Sequence, residues 1–557
     1  MTSWGRSSGA LLTLALVLPG RRVAAQAAPA RVEKSAAASS TYRPGIDVLS
    51  YDLSLELPTR GNIVRGHAIL TVQRTARVDT LVLDLVRLAV DSVRLDGRRV
   101  DFVRVPNEIH IPLPPGDAGR FVVRVSYGGA VEDGLIIRTD SAGRWTGFGD
   151  NWPNRGRFWI PSVDHPSDKA TVSWSVTAPA ELTVVANGLL VRRSALADGR
   201  VRTQWSERHP IPVYTMVIAA APLTEYALGE TACGLASTGR CVPQYVFAAP
   251  EQRAVLPGPF SQAGEVVRYF ASLVGPFPYE KLAHVQSSTR FGGMENATAI
   301  FYADGAFRHR TMSEGLIAHE TAHQWFGDAV TEREWAHVWL SEGFATYFAA
   351  LWTRHAHGDS AFRADLRGMR NAVLSDADAV PSRPVIDTAQ TELLALLNRN
   401  SYQKGGFVLH MLRRQVGDSA FFWALRRYYA SHRDGTVLTD DLRLEVERSS
   451  GQSLGWFFDQ WLRRPGFPEL DVTWSYDPSS HLVSLDVNQG ERFGAFRLPL
   501  VVEVREATGV ARRATLEVPA ERHSRLTIPT TLALAPRSVA ADPDVDLLAR
   551  IEVHPNR

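Results

Sequence analysis

The sequence predicts a multidomain α+β protein, in which a β-sheet domain precedes a mainly helical domain and a small β-sandwich follows. Three observations lead to this prediction. The chain has 557 residues, which at about 150 residues per domain corresponds to three or four domains. Polar and apolar residues alternate from about residue 42 to residue 221, the spacing becomes helical near Ser261, and alternation returns after Pro465.

The composition is that of a globular protein, since 45% of the residues are apolar and 22% are charged. Disordered, fibrous and collagen-like proteins are thereby excluded. The 61 basic and 59 acidic residues give a net charge of +2, so the charge does not predict a nucleic acid partner or an anionic surface. The lysines are few: Lys34, Lys169, Lys281 and Lys404. A GC-rich genome, which favours arginine codons, is sufficient to explain this scarcity.

The first 25 residues have the architecture of a signal peptide. Arg6 gives a basic start, residues 10–18 form a short apolar core, and Val23-Ala24-Ala25 offers small residues for cleavage. The core is too short for a mature membrane helix, and no later stretch reaches about 18 uninterrupted apolar residues. We therefore expect an exported protein, periplasmic or secreted, with no stable membrane span. An uncleaved anchor and a misassigned start codon are the alternatives.

Residues 26–41 are rich in Ala and Ser and predict a linker. Residues 42–225 predict the β-sheet domain, because short runs alternate in polarity and Gly or Asp turns separate them. These runs are residues 51–57, 68–72, 80–85, 121–127 and 171–177. The apolar run 211–223 contains prolines and predicts a buried strand.

Residues 226–465 are predicted to be mainly helical. One apolar helix face is formed by Val266, Val267, Phe270, Leu273 and Val274. Further helices are predicted over residues 312–326, 342–353, 361–374, 402–416, 419–429, 440–447 and 454–462. Residues 466–557 return to alternating runs at 470–474, 482–487, 498–506 and 515–518. About 90 residues are enough for a small β-sandwich.

The segment His319-Glu320-Thr321-Ala322-His323 carries the pattern H-E-x-x-H. Four residues make about one helical turn, so both imidazoles project from one face, as two ligands of a tetrahedral zinc ion must. Ser313 is placed to cap this helix. Glu342 lies 19 positions after His323 on the next predicted helix and can supply the third ligand. Three protein ligands leave one position for water, which predicts a catalytic site with one Zn²⁺ per chain.

Glu320 lies between the two histidines and is placed to take a proton from that water. The competing interpretation is two ordinary histidines and two surface glutamates on helices, which the spacing of the whole constellation disfavours. Cys233 and Cys241 cannot form a cysteine-based zinc site on their own. In an exported protein this pair predicts a short surface disulfide loop, and two free thiols are the alternative.

Several motifs in sequence order resemble the aminopeptidase N family of zinc metallopeptidases, the gluzincin aminopeptidases that include leukotriene hydrolase. Gly292-Gly293-Met294-Glu295-Asn296 is similar to the family's G-x-M-E-N motif, with Glu295 24 positions before His319. The resemblance covers residues 42–557. Other similar segments are Trp325-Phe326-Gly327-Asp328, Trp335, Tyr402-Gln403-Lys404-Gly405, Arg157-Phe158-Trp159-Ile160-Pro161, Asp164-His165-Pro166, Lys169-Ala170-Thr171 and Pro465-Gly466-Phe467-Pro468.

The resemblance implies a thermolysin-like catalytic domain that removes N-terminal residues from peptides by Glu-assisted attack of zinc-bound water. Tyr402 would donate its phenol to the developing oxyanion. Glu295 would bind the free α-ammonium of the peptide by a charge-assisted hydrogen bond. Gly292 and Gly293 would let the backbone approach the extended substrate, since they carry no β-carbon.

Two features depart from the family. Its members offer Gln or Glu shortly before the arginine matched by Arg157, whereas this segment contains neither, and Asp150 or Asn151 is the candidate replacement. The large helical C-terminal domain of many relatives has no counterpart in about 90 residues after Pro468, so we expect an open cleft or one closed by another subunit.

Two other functions compete with the aminopeptidase. The first is an endopeptidase or a lipid-epoxide-hydrolase-like enzyme on the same site, although an endopeptidase needs no amine anchor such as Glu295. The second is a non-catalytic peptide-binding scaffold, which the intact ligands, base and tyrosine disfavour. The expected partners are peptides with a free N-terminus, and nothing in the sequence indicates an oligomeric state.

Overall fold

The computed structural model describes residues 42–556 except 141, 232–240, 257, 376–380 and 533. The predicted signal peptide, the linker and Cys233 lie outside the described residues, so the pairing of Cys233 with Cys241 stays a prediction. None of the described helices combines the length and the apolar character that a membrane span requires.

The N-terminal domain is built from strands, as the alternation predicted. Tyr51, Leu53 and Leu55 of the first strand are buried and alternate with exposed Asp52 and Glu56. The strands are β1 Ile46–Glu56, β2 Ile63–Arg74, β3 Thr80–Asp84, β4 Ala89–Leu95, β5 Arg98–Val100, β6 Val103–Val105, β7 Glu108–Pro112, β8 Gly119–Ala130, β9 Leu135–Thr139, β10 Trp145–Gly149, β11 Lys169–Pro179, β12 Thr183–Ala186, β13 Leu189–Ala195, β14 Arg200–Pro212 and β15 Ile218–Ala221.

These strands form three sheets. The largest has eight strands in the order β13-β14-β11-β1-β2-β8-β4-β5. Smaller sheets have the orders β12-β15-β10-β9 and β3-β7-β6. The apolar run 211–223 is buried but is not one strand, because β14 ends at Pro212 and a 3₁₀ turn, Val213–Thr215, precedes β15. Proline cannot donate to a strand ladder, which explains the break.

The second domain contains a five-stranded sheet in the order β16-β17-β18-β20-β19, with a separate pair β21-β22. Its strands are β16 Thr224–Glu230, β17 Pro243–Ala248, β18 Leu282–Ser287, β19 Gly293–Met294, β20 Ala299–Ala303, β21 Val330–Glu332 and β22 Gly435–Val437. Its helices are α1 Ala263–Val274, α2 Asp304–Arg308, α3 Glu314–His323, α4 Trp339–His357, α5 Asp359–Leu374, α6 Gly405–Val416, α7 Asp418–His432, α8 Thr439–Ser450 and α9 Gly455–Phe458.

Two local features place the helices of the site. Ser313 caps α3 as predicted, its hydroxyl accepting a hydrogen bond from the backbone N–H of Leu316. Helices α4 and α6 cross at Gly343 and Gly405, where a β-carbon on Gly343 would lie 2.9 Å from the carbonyl carbon of Gly405. Only glycine allows this backbone contact, which brings the start of α4 close to the start of α6.

The C-terminal region consists of two sheets, in the orders β27-β24-β23-β29 and β26-β25-β28. Its inner faces bury Val472, Leu485, Val487, Leu500 and Val502. After Arg464 the described residues contain no α-helix. The predicted order of β domain, helical domain and β region is therefore confirmed. The strands are β23 Glu469–Asp477, β24 Leu482–Gln489, β25 Leu498–Arg505, β26 Ala511–Val518, β27 His523–Thr527, β28 Ser538–Ala541 and β29 Arg550–Pro555.

Candidate active site

The three predicted metal ligands meet between α3 and α4. His319 and His323 lie one turn apart on α3, and their Nε2 atoms are 3.2 Å apart. Oε2 of Glu342, in the first turn of α4, lies 3.4 Å from each of these nitrogens. Three donor atoms thus form a nearly equilateral triangle.

This triangle fits a zinc ion. Bonds of about 2.0–2.1 Å in a tetrahedral site place the ligand atoms about 3.3–3.4 Å apart, close to the observed separations. Glu342 Oε2 is buried and has no hydrogen-bond partner among the described residues, although such an atom is costly to leave unpaired. Burial opposes the charge on Glu342, but the two imidazoles outweigh it and lower its pKa. The donor set is that of a catalytic zinc site.

The orientation of His323 is fixed from its other edge. Its Nδ1 lies 2.9 Å from Ser341 Oγ and 3.2 Å from the carbonyl oxygen of Phe326. A proton held on Nδ1 leaves the Nε2 lone pair directed to the metal position. Ser341 was not among the predicted site residues, although it directly precedes the ligand Glu342 in the sequence.

Glu320 lies beside the ligands and is almost completely buried. One carboxylate oxygen of Glu320 lies within 4.8 Å of donor atoms of both His323 and Glu295. Burial raises the pKa of Glu320 well above its ordinary value, His323 opposes the shift, and the carboxylates of Glu295 and Glu342 add to it. A carboxylate in this environment is a stronger base than one in water.

Tyr402 lies beside His319, in a π-helical turn, Asn400–Lys404, that precedes α6. Its ring is 6.0 Å from the His319 imidazole and nearly parallel to it, with an angle of 9° between the planes. Burial raises the pKa of Tyr402 well above 10, and Glu342 raises it further. The phenol is therefore neutral and can donate a hydrogen bond.

Glu295 lies in the turn between the edge strand β19 and β20, where Gly293 pairs with Tyr302. It is buried, and burial raises its pKa to about 7, with His323 lowering it and Glu342 raising it. Of its motif neighbours, Met294 is buried in the core, and Asn296 is buried with neither amide atom hydrogen-bonded to a described residue.

Comparison with known families agrees with this site. A family model described as "Peptidase M1 N-terminal domain" matches residues 48–215. A second model, "Peptidase family M1 domain", matches residues 261–461. The chain belongs to peptidase family M1. This family contains zinc metallopeptidases, and the three donors of this M1 chain have a geometry that could hold such an ion.

Curated relatives of this M1 chain include "Glutamyl aminopeptidase" of Homo sapiens, 27% identical over 71% of this chain and 43% of the relative. "Probable aminopeptidase 2" of Sulfurisphaera tokodaii is 24% identical over 77% of this chain and 55% of the relative. The chain spans about half the length of these relatives.

Two solved structures share the fold. Legionella pneumophila aminopeptidase A, in complex with aspartic acid, matches with a TM-score of 0.80 at 17% identity, over 93% of this chain and 61% of that one. An M1 zinc metallopeptidase of Deinococcus radiodurans, a mutant bound to a Tyr-Ser-Ala substrate, matches with a TM-score of 0.66 at 29% identity. The second match covers 75% of this chain and 94% of that one. The predicted family and fold class are confirmed.

The candidate replacements for the family's Gln or Glu already contact other residues of this M1 chain. The Asn151 amide donates to the carbonyl oxygens of Val213 and Met216, and its oxygen accepts from Trp159. Asp150 is buried and paired with two arginines, 2.8 Å from Arg155 and 3.4 Å from Arg290. The expectation that Asp150 or Asn151 takes this role stays a prediction.

The two glycines of the motif differ in their surroundings. A β-carbon on Gly292 would meet no described atom within 4 Å, whereas one on Gly293 would fall on the Glu320 carboxylate. The absence of a side chain at Gly293 thus makes room for Glu320, a role that the sequence did not suggest. Gly292 faces open space, and the predicted approach of a substrate there stays a prediction.

Proposed function

We propose that the chain is a zinc-dependent aminopeptidase, with one zinc ion per chain, that removes N-terminal residues from peptides. The observation that carries the proposal is the position of Glu295. Its carboxylate lies within 4.8 Å of the donor atoms of Glu320 and His323. A peptide whose ammonium group binds there has its first peptide bond next to Glu320. The aminopeptidase names of the relatives support the same activity.

Glu320, Tyr402 and Glu295 each have a separate role in the proposed reaction. When bound, the zinc ion supplies a Lewis acid that polarises the scissile carbonyl and lowers the pKa of a water molecule. Glu320 takes a proton from the attacking water and then delivers it to the departing amine. Tyr402 donates its O–H to the carbonyl oxygen as negative charge develops there. Glu295 holds the ammonium group, which fixes the distance from the peptide N-terminus to the bond that breaks.

The test compares amino-acid p-nitroanilides that carry a free amine with their N-acetylated counterparts. We expect hydrolysis of the free-amine series alone, its loss on addition of a chelator, and about one zinc per chain by elemental analysis. Glu320→Gln is expected to reduce kcat by about 10²- to 10⁴-fold. Unchanged hydrolysis by Glu320→Gln would overturn the mechanism.

An endopeptidase acting at the same site is the second candidate. The same zinc ligands and base would serve it, but the amine anchor would have no use. Equal rates on free and N-acetylated peptides would favour it over an aminopeptidase. Binding of peptides without any hydrolysis would favour a scaffold.

We also propose that the protein is exported, to the periplasm or beyond. The basic start, apolar core and small residues of the first 25 positions support this. Expression of the full chain followed by cell fractionation and N-terminal sequencing tests it. A full-length chain that starts at Met1 and stays in the cytoplasm would contradict the proposal.

A further inference from the structure

The turn that carries Glu295, residues 295–298, is hydrogen-bonded to the side chain of Gln324, the residue that directly follows α3. We call this segment the Glu295 turn. Gln324 Nε2 donates to the carbonyl oxygen of Glu295 at 2.9 Å, and Gln324 Oε1 accepts from the backbone N–H of Thr298 at 2.8 Å. Because Gln324 directly follows the ligand His323, these two bonds fix the turn relative to the metal site.

The other end of the turn is held by a buried lysine. Lys281 is 2% exposed, and its ammonium donates to the carbonyl oxygen of Thr298 at 3.0 Å and to Thr298 Oγ1 at 3.3 Å. It also donates at 3.0 Å to the carbonyl oxygen of Ala186, at the end of β12 in the N-terminal domain. Thr298 Oγ1 further accepts from the backbone N–H of Gly188 at 2.7 Å. The three donors of one ammonium thus join two domains.

A side chain of the N-terminal domain holds the middle of the turn. Asn187 Nδ2 donates to the carbonyl oxygen of Ala297 at 2.7 Å and to that of Thr215 at 2.8 Å. Asn187 Oδ1 accepts from the backbone N–H of Val217 at 2.7 Å. The side chain of Asn187 is completely buried. Its hydrogen bonds connect the Glu295 turn to the segment between β14 and β15 of the N-terminal domain.

We propose that Lys281 and Asn187 are positioning residues for the amine anchor, so that the N-terminal domain sets the selectivity of the catalytic domain for a free N-terminus. This inference rests on the proposed aminopeptidase function. Neither side chain is among the residues assigned above to the metal, the base or the oxyanion. Each acts on backbone atoms two or three positions from Glu295 and thereby fixes where its carboxylate lies.

The zinc ligands are held by other contacts. His323 is oriented by Ser341 of α4, and Glu342 belongs to α4 itself. Loss of Lys281 or Asn187 should therefore loosen the Glu295 turn and leave zinc binding intact. A displacement of about 1 Å is enough to reduce the rate of an enzymatic reaction by about 10²-fold, so the effect on amine recognition should be large.

The experiment measures amine recognition without turnover. Leucine hydroxamate and 4-methylpentanehydroxamate share the metal-binding group and the side chain, and they differ only in the amine. Direct binding gives a dissociation constant for each compound, and we expect the ratio of the two constants to favour leucine hydroxamate clearly in the wild-type holoenzyme. In Lys281→Met this ratio should fall about tenfold or more, with zinc content unchanged and with binding of the des-amino compound nearly unchanged.

Lys169→Met is the matched control. Lys169 is also a buried lysine between the two domains, but its ammonium donates to carbonyl oxygens of Asp328, Ala329 and Gly435 and not to the Glu295 turn. Lys169→Met should lower the melting temperature and keep the wild-type ratio of the binding constants of the two hydroxamates. If Lys281→Met does not fold, Asn187→Ser takes its place, with the same expected fall in the ratio.

The outcomes separate the two proposals. A wild-type ratio near one would contradict the aminopeptidase function itself. A normal wild-type ratio that Lys281→Met or Asn187→Ser retains in a folded, zinc-loaded protein would overturn the positioning role. An equal fall in Lys169→Met would also overturn it, because the cause would then be a general loosening between the domains.

Discussion

A β-carbon placed on Gly293 would fall on the side chain of Glu320, with Oε1, Cδ and Cγ all nearer than van der Waals contact allows. The edge strand β19 therefore lies directly against the catalytic base. The motif that carries the amine anchor also defines the space that the base occupies. Gly293 therefore links the positions of Glu320, the base of the proposed reaction, and Glu295, its amine anchor.

Gly293→Ala is expected to displace the carboxylate of Glu320 and to reduce kcat/KM by about 10²-fold or more. Zinc content should stay unchanged, because neither residue is a ligand. Steady-state kinetics and elemental analysis check this. Gly264→Ala on α1 is the control, since its β-carbon would meet no described atom closer than 3.8 Å. Wild-type kinetics in a folded Gly293→Ala variant would contradict the assignment of Glu320 as the base.

Ser341→Ala removes the contact with Nδ1 of His323 that orients the ring. Loss of such a partner of a ligand weakens metal binding by about 10- to 100-fold, and we expect this range in a competitive chelator titration. Ser313→Ala provides the comparison. It removes the N-cap of α3 and costs about 1 kcal/mol of stability, but it leaves the contacts of His323 in place and should not change zinc affinity.

Tyr402→Phe removes the hydroxyl proposed to stabilise the oxyanion. We expect kcat to fall by about 10²- to 10³-fold with a small change in KM, because the bond forms as charge develops in the transition state. Tyr428→Phe is the matched control. Its buried hydroxyl has no hydrogen-bond partner in the described part of the chain, so this variant should retain activity. A KM effect without a kcat effect at Tyr402 would point to substrate binding instead.

The sequence was sufficient for the parts of the site that follow from helical spacing. The H-E-x-x-H pattern placed His319 and His323 on one face of α3, and the distance to Glu342 placed it on the next helix. The helix ended earlier than predicted, at His323 instead of residue 326, because the following residues turn toward β21. Spacing along the chain reports such local geometry reliably.

Contacts between distant segments could not be predicted in this way. The direction of the missing β-carbon of Gly293, the bond from Ser341 to His323 and the pairing of Asp150 with two arginines all depend on how the elements pack. The suggestion that Asp150 or Asn151 replaces the family's Gln or Glu depends on the same kind of packing and stays a prediction. Both side chains occupy the expected stretch of sequence, but their hydrogen bonds and charges are used within the protein.

The scarcity of lysine acquires a structural meaning. The three lysines in the described part of the chain, Lys169, Lys281 and Lys404, are all buried and donate to backbone carbonyl oxygens. A compact ammonium group can reach several carbonyl oxygens around one point, whereas the planar guanidinium of arginine is larger and directs its donors in a fixed fork. This geometry accounts for lysine instead of arginine at these three positions.

Lys404 leads to a prediction about the pH dependence of stability. Its ammonium is buried and donates to the carbonyl oxygen of Gly466 at 2.8 Å, where the C-terminal region begins. Burial lowers the pKa of Lys404 to about 7, and Arg464 acts in the same direction. The unfolded chain keeps the ordinary lysine pKa of about 10.4. Between these two values the folded protein binds fewer protons than the unfolded chain, so Lys404 favours folding increasingly as the pH rises.

The comparison of wild type with Lys404→Met isolates this contribution, because all other titrating groups are shared. The free energy of unfolding of the wild type, relative to the variant, should rise by up to about 1.4 kcal/mol per pH unit between pH 7 and pH 10. Below pH 7 the difference should be constant, since Lys404 is then protonated in both states. Denaturant titrations of both proteins across pH 5 to pH 10 measure this free energy, and a difference that does not change with pH would show that Lys404 keeps its charge in the folded protein.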